Sequence, residues 1–159
     1  MMRKFSPKLR LRVPYTAQGK NSGNCGPCSI KMVADYYKIR KFDGSEYSVP
    51  SLNRLCRVTR EFGCEKSDIN RVLKKLGLNR HKVTYRNLRY HLKKKRPIIS
   101  LFIDEDGGGH YAVITGSDDK YIYFNDFYFG MNFKRFIEGL KKQTKYFGDW
   151  LWAIFPDDL

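Results

Sequence analysis

The apolar positions of this chain change their period near its middle. In the first half they recur at helical spacing. Ile30, Val33, Ala34 and Tyr37 predict a helix from residue 25 to about 38. Ser51 is placed to cap a second helix running to about residue 62, with Leu52, Leu55 and Cys56 on one face. Ser67 or Asp68 can cap a third, with Ile69, Val72, Leu73 and Leu76 inward and Gly77 as its stop. Thr84 can open a short basic helix carrying Leu88 and Leu92, which Pro97 must end. Beyond that point the pattern becomes β-branched. Residues 97–103 predict a strand, Gly107, Gly108 and Gly109 a flexible turn, and 110–115 and 121–124 two strands joined by a turn at 117–120. Residues 133–140 read as helical and 150–155 as a last strand. Residues 1–20, with Pro7 and Pro14, read as extended, and 18–26 and 43–50 as loops. Helices first and an antiparallel sheet afterwards make an α+β chain. No repeat, low-complexity tract or linker divides it, so residues 1–159 are expected to form one domain.

Composition agrees with a packed core. Of 159 residues, 42% are hydrophobic and 15% aromatic, which argues against global disorder. No apolar run reaches the length of a membrane span. The start, Met-Met-Arg-Lys-Phe, is basic but has no apolar stretch behind it, so no signal peptide is expected. The expected location is cytoplasmic, or exported without a conventional signal peptide.

Charge adds something the pattern does not show. The net charge is +15, and it is unevenly spread. Between Arg71 and Arg96 there are eleven Lys and Arg residues and no acid; the first twelve residues add five more. Such a field attracts nucleic acid, an acidic protein or an anionic membrane, or else is a solvated face. No zinc-finger spacing or RNA-recognition motif accompanies it.

Candidate chemistry centres on Cys25. It opens the first predicted helix after a loop rich in Gly and Asn. Backbone N–H groups and the positive end of the helix dipole converge there, and both favour a thiolate, the form that attacks a carbonyl. His110 opens a strand directly after three glycines and can reach across to a helix N-terminus as proton acceptor and donor. Asp126 ends the next strand, where it can orient the imidazole; Asn125 is the alternative, and strand alternation lets only one of them face His110. Gln18, seven residues before Cys25, can join the Cys25 N–H as an oxyanion donor. His81 and His91 fall in the basic segment and are expected at the surface.

In this order these residues carry a resemblance. Val13-Pro14-Tyr15, Gln18 and the run Cys25-Gly26-Pro27-Cys28-Ser29-Ile30-Lys31-Met32-Val33 resemble the start of peptidase family C39 and its C39-like relatives. His110-Tyr111-Ala112-Val113-Ile114-Thr115-Gly116 resembles the family's histidine motif, Asn125-Asp126 its Asn-Asp-Pro turn, Arg96-Pro97-Ile98-Ile99 the strand before the histidine, and the stretch from Leu73 to Gly77 a helix end. The similarity spans most of the chain, from Val13 to Phe155. It implies a papain-like fold and a cysteine peptidase or related thiol acyl-transfer hydrolase. Cys25 would be the nucleophile, His110 the base, Asp126 the orienting acid and Gln18 the oxyanion donor. A peptide or protein substrate is implied, and no cofactor. Papain-like enzymes also perform deamidation, transpeptidation and deubiquitination, and the sequence does not choose among these. Some relatives, joined to ABC transporters, cleave leader peptides after a double glycine; no transporter segment is seen here, so that substrate is not carried over. Two positions depart from the family pattern: Phe127 stands where proline is usual, and Cys28 replaces a small residue.

Rival readings remain. Cys25-Gly26-Pro27-Cys28 is also a thioredoxin redox sequence, with Cys28 resolving, but the preceding strand and parallel βαβ pattern are missing. Inside a peptidase fold, a Cys25–Cys28 disulfide could switch the enzyme off. Cys25, Cys28, Cys56 and Cys64 could together bind zinc, yet seven residues separate the last two and Cys56 reads as core, so no metal is expected. A catalytically weak or inactive papain-like module could bind nucleic acid or an acidic partner through the segment from Arg71 to Arg96. The aromatic residues around Asp126 read mostly as core or cleft wall.

Overall fold

In the computed structural model, residues 8–17, 23–59, 61, 63–127 and 129–159 are described. Seven strands form one antiparallel sheet in the order β2-β7-β3-β4-β5-β6, and β1 pairs with β4. In chain order the elements are β1 (Leu9–Arg10), α1 (Cys25–Tyr36), α2 (Val49–Cys56), α3 (Lys66–Lys75), β2 (Leu78–Lys82), α4 (Leu88–Lys93), β3 (Ile98–Ile103), β4 (Gly109–Ser117), β5 (Tyr121–Asp126), β6 (Gly130–Phe136), α5 (Ile137–Lys145) and β7 (Leu151–Pro156). The chain is α+β, with helices packed on a seven-stranded antiparallel sheet.

Strand alternation divides the interior between the two faces of the sheet. Ile99, Leu101, Tyr111 and Val113 meet α1, α2 and α3. Ile98, Phe102, Ala112, Ile114, Ile122 and Phe124 meet α4 and α5 through Leu88, Leu92 and Leu140. Helix α1 is buried almost all round, from Gly26 to Ala34, as expected of a helix held between a sheet and other helices. Its C-terminal end is tied down by Tyr37, whose hydroxyl donates to the Ile154 carbonyl at 2.7 Å.

Several boundaries differ from the sequence expectation for local reasons. The second helix is capped by Ser48, not Ser51: the Ser51 N–H donates to Ser48 Oγ at 3.2 Å, and Pro50 fits the first turn. It ends at Cys56 rather than near residue 62, because Arg57 turns left-handed at φ 55°. The third helix begins one turn early, with Glu65 at its N-cap; Asp68 lies in the first turn and pairs with Arg71 at 2.7 Å. Thr84 accepts the Asn87 N–H at 3.3 Å, but Asn87 is the residue that precedes α4. Residues 133–136 are strand, not helix; the helix begins at Ile137. There Tyr121 and Phe136 face each other across β5 and β6, with rings 4.7 Å apart, and such cross-strand pairs stabilise sheets. Strand β2 escapes pattern reading because only Leu78 of its five residues is buried.

Strand β1 matters because it seats the segment that follows it. It lies on β4 at Gly116, where a Cβ would run into the Leu9 carbonyl. Gly116→Ala is therefore expected to cost about 1–3 kcal/mol by displacing β1. Urea unfolding checks this: a lower midpoint at unchanged slope is predicted. An unchanged midpoint would mean that β1 can shift without cost.

Candidate active site

Cys25 is the first residue of α1 and is half-buried in the wall of a cleft of about 710 Å³. The first N–H groups of a helix lack intrahelical acceptors and point outward, so they face the place where Cys25 meets the cleft. Pro27 suits this first turn because it has no N–H to leave unpaired. Gly26 is required by packing. A Cβ there would lie 2.8 Å from Cys64 Cβ and 2.9 Å from Ile69 Cδ1. Only a bare backbone brings the start of α1 so close to the chain before α3.

His110 comes from β4, opposite Phe102 of β3. Its side chain is on the same face as Ala112 and Ile114. Val113 pairs with Asn125 and Ile114 with Phe124, so Asp126 of β5 shares that face, diagonally across from His110. The His110 Nε2–H donates to Asp126 Oδ2 at 2.6 Å. Cys25 is the other group whose nearness helps raise the His110 pKa. With Nε2 on the carboxylate, the nitrogen left for the thiol is Nδ1. Asn125 points the other way: its Nδ2 donates to the Val13 carbonyl at 2.9 Å and its Oδ1 accepts from Asn132 N at 3.3 Å. Between the two alternatives for His110, the strand presents Asp126.

The pair is almost dry. His110 is 7% exposed and Asp126 1%. Phe102 meets the imidazole edge-on, with ring centres 5.3 Å apart, and Phe127 stacks on it at 5.2 Å. Burial alone pushes the imidazolium pKa down. The hydrogen bond to Asp126 and its charge, with the nearby Cys25, overcome that and raise it to about 9. His110 therefore holds its proton at neutral pH.

Two supports were not foreseen from the sequence. The Tyr15 hydroxyl donates to the Asp126 carbonyl at 3.0 Å and to the Phe127 carbonyl at 3.3 Å. Asp126 Oδ1 also accepts the Phe129 N–H at 3.1 Å. The turn after Asp126 is thus fixed by hydrogen bonds where the family pattern has a proline, and Phe127 lends its ring to His110. The only advance sign was the Val-Pro-Tyr stretch itself. Cys64 was also missed as a cleft residue, having been weighed only as a metal ligand; it lines the same cleft as Cys25, with Leu101, Tyr111 and Phe147.

Other expectations fare differently. Gln18 lies outside the described residues. His81 is exposed, but His91 is buried at 1%, which corrects the expectation that both lie at the surface. It packs against His81 and Tyr90, and burial pushes its pKa down, with His81 and Arg96 adding to the effect. The basic segment from Arg71 to Arg96 is divided over α3, β2 and α4. Several of its cations pack on the protein's own aromatic rings, Arg80 on Trp152 at 4.0 Å and Arg96 on Phe155 at 4.1 Å. Among the described residues, no group of three or more His, Cys, Asp or Glu could hold a metal ion, and no helix is long and apolar enough to cross a membrane. All four cysteines are free thiols.

A half-buried cysteine at a helix start, joined through histidine to a buried carboxylate, is the arrangement of papain-like cysteine peptidases. The family model "Peptidase C39 family" matches residues 12–136, and the chain belongs to that family. Among curated proteins none matches this sequence. Solved structures show the same fold. The peptidase domain of Streptococcus ComA, a bi-functional ABC transporter of a quorum-sensing pathway, is 23% identical, with a TM-score of 0.69 over 94% of this chain and 99% of that one. A double glycine motif protease from an AMS/PCAT transporter, solved with its leader peptide, is 24% identical, with a TM-score of 0.67 over 92% and 94%. A Bacillus anthracis protein described as a C39-like peptidase is 14% identical, with a TM-score of 0.75 over 94% and 98%.

The raised pKa of His110 carries a sign that can be tested. A histidine held above its ordinary value contributes stability that is fully present below about 6.5 and is lost as pH rises through about 9. Asp126→Asn removes the charge facing Nε2. NMR titration of the His110 ring should then show its midpoint move down from about 9 toward the ordinary value. An unmoved midpoint would mean that Asp126 does not hold the proton.

Proposed function

We propose that this protein hydrolyses peptide bonds with Cys25 as nucleophile, His110 as proton carrier and Asp126 as the group that orients His110. The observation that carries this reading is the bond of His110 to Asp126 Oδ2 at 2.6 Å, with Cys25 at the start of α1 as the other group that raises the His110 pKa.

The chemistry follows from the charges. The thiolate is the attacking form of a cysteine, and Cys25 sits at the start of α1 near the protonated imidazole. The thiolate attacks the carbonyl carbon, and the carbonyl oxygen takes up negative charge. The Cys25 N–H is placed at the helix start to receive it, and Gln18 is the second donor that the family resemblance implies. His110 gives its proton to the leaving amine, the C–N bond breaks, and a thioester with Cys25 remains. His110, now neutral, takes a proton from water; the hydroxide attacks the thioester, and Cys25 leaves as thiolate. Asp126 keeps Nδ1 turned to the sulfur throughout and stabilises each imidazolium.

The cleft also bears on the substrate. Its walls include the bare backbones of Gly23, Gly63 and Gly109 beside Leu101, Tyr111 and Phe147. Such a slot accepts an extended peptide with small side chains next to the cleaved bond. This agrees with the relative named as a double glycine motif protease and solved with a leader peptide.

The test is cleavage of a peptide series whose residues before the scissile bond run from glycine to leucine. Cleavage should favour the small residues, and His110→Ala should lower the rate on the order of 10²–10⁴-fold. The rate should fall as pH rises through about 9, where His110 loses its proton. A rate that His110→Ala leaves unchanged would remove His110 from the mechanism.

A further inference from the structure

We infer that the cleft holds a second functional thiol: Cys64 captures Cys25 once a hydroperoxide has oxidised it, and Cys56 then draws the disulfide away from the reactive centre. This deepens the proposed function, since it rests on Cys25 being the reactive thiolate.

Three sulfurs run from cleft to core. Cys25 is half-buried on the cleft, and Cys64 lines the same cleft while only 8% exposed. The Cys64 side chain lies against the residue after Cys25: a Cβ placed on Gly26 would be 2.8 Å from Cys64 Cβ and 3.2 Å from its Sγ. Cys56, the last residue of α2, is wholly buried in the same core cluster as Cys64 and is near enough to help raise the Cys64 thiol pKa. Between the two, Thr59 and Gly63 bridge to each other, and Gly63 has a φ of 49° that a side chain would resist. That bridge packs on the loop before Cys25, since a Cβ on Gly23 would lie 3.6 Å from both the Thr59 carbonyl and Gly63 Cα.

Cys28 is the less suitable partner. It is wholly buried in the core cluster, one turn into α1. Its N–H donates to the Asn24 carbonyl at 2.9 Å, and Ser29 Oγ donates to the Cys25 carbonyl at 2.8 Å, so the turn between the two cysteines is already fixed. The Cys64 thiol is raised by the nearby Cys56 and by burial, and so leaves substrate to Cys25 in the reduced protein.

Each step balances. The Cys25 thiolate attacks a peroxide oxygen; an S–O bond forms, the O–O bond breaks, and the leaving hydroxide takes the proton of His110 to become water. The sulfur has lost two electrons and is a sulfenic acid. Cys64 sulfur then attacks it; an S–S bond forms, the S–OH bond breaks, and the hydroxyl departs with the Cys64 proton as water. Last, Cys56 attacks the Cys64 sulfur, Cys25 leaves as thiolate, and the proton given up by Cys56 ends on His110. Cys25 is recovered, and a dithiol reductant reduces the Cys56–Cys64 bond.

Hydrogen peroxide in small excess, followed by iodoacetamide and peptide mass spectrometry, tests the relay on the full chain. Wild type should acquire a Cys56–Cys64 disulfide and keep an alkylatable Cys25. Cys56→Ser should trap a Cys25–Cys64 disulfide, with Cys25 unlabelled until dithiothreitol is added. Cys64→Ser and Cys64→Ala should carry Cys25 on to a sulfinic acid that dithiothreitol does not reverse. Cys25→Ala should keep Cys56 and Cys64 reduced. A Cys56–Cys64 disulfide formed equally well in Cys25→Ala would overturn the relay, and so would sulfinic acid at Cys25 in wild type. The comparison of wild type with Cys25→Ala needs no change at Cys64, so a poorly folded Cys64 variant does not decide it. If the relay fails while Cys25 still labels fast and only with His110 present, the peptidase reading stands. If Cys25 labels like an ordinary thiol, that reading fails first.

Discussion

A methyl group at position 26 has nowhere to go. Cys64 Cβ would stand 2.8 Å from it and Ile69 Cδ1 2.9 Å, so the start of α1 can press against the chain leading into α3 only as glycine. Everything at the reactive centre depends on that contact. It brings Cys25 to the cleft wall and points the free N–H groups of the first turn there. It also packs α1 on β4, the strand that carries His110.

The sheet supplies the other half. Antiparallel pairing sets His110 and Asp126 on one face, diagonal to each other, and their hydrogen bond of 2.6 Å closes in a space almost without water. In such a place a charge needs a partner. The carboxylate keeps the imidazole charged, and removing it leaves that charge costly to hold. The strap of Val13, Pro14 and Tyr15 stops the end of β5 from drifting. It binds Asn125 through a carbonyl and the carbonyls of Asp126 and Phe127 through a hydroxyl. Phe127, a departure from the family pattern, covers the imidazole.

Much of this was legible in the sequence because the signals were local. A cysteine before an apolar helical run, a histidine after glycines, and an acid at the end of the next strand each say where the chain must turn. The family resemblance then ordered them, and the fold agrees. What was not legible depended on tertiary contact. Strand β2 shows no alternation because it is an edge strand with one buried residue. Phe133 and Phe136 mimic helical spacing, yet they pair across to Phe124 and Tyr121. His91 sits in a run of cations that reads as surface, and only the packing of α4 on the sheet buries it. The nearness of Cys56 to Cys64 could not be read from a gap of seven residues, because it accompanies the bridge between Thr59 and Gly63.

The most direct test of the central claim is the rate of iodoacetamide alkylation of each cysteine against pH, in wild type and in His110→Ala. The account predicts that Cys25 alone labels fast below neutral pH, and that His110→Ala slows it to the pace of an ordinary thiol. Equal labelling of Cys25 in both proteins would contradict it, because the thiolate would then owe nothing to His110.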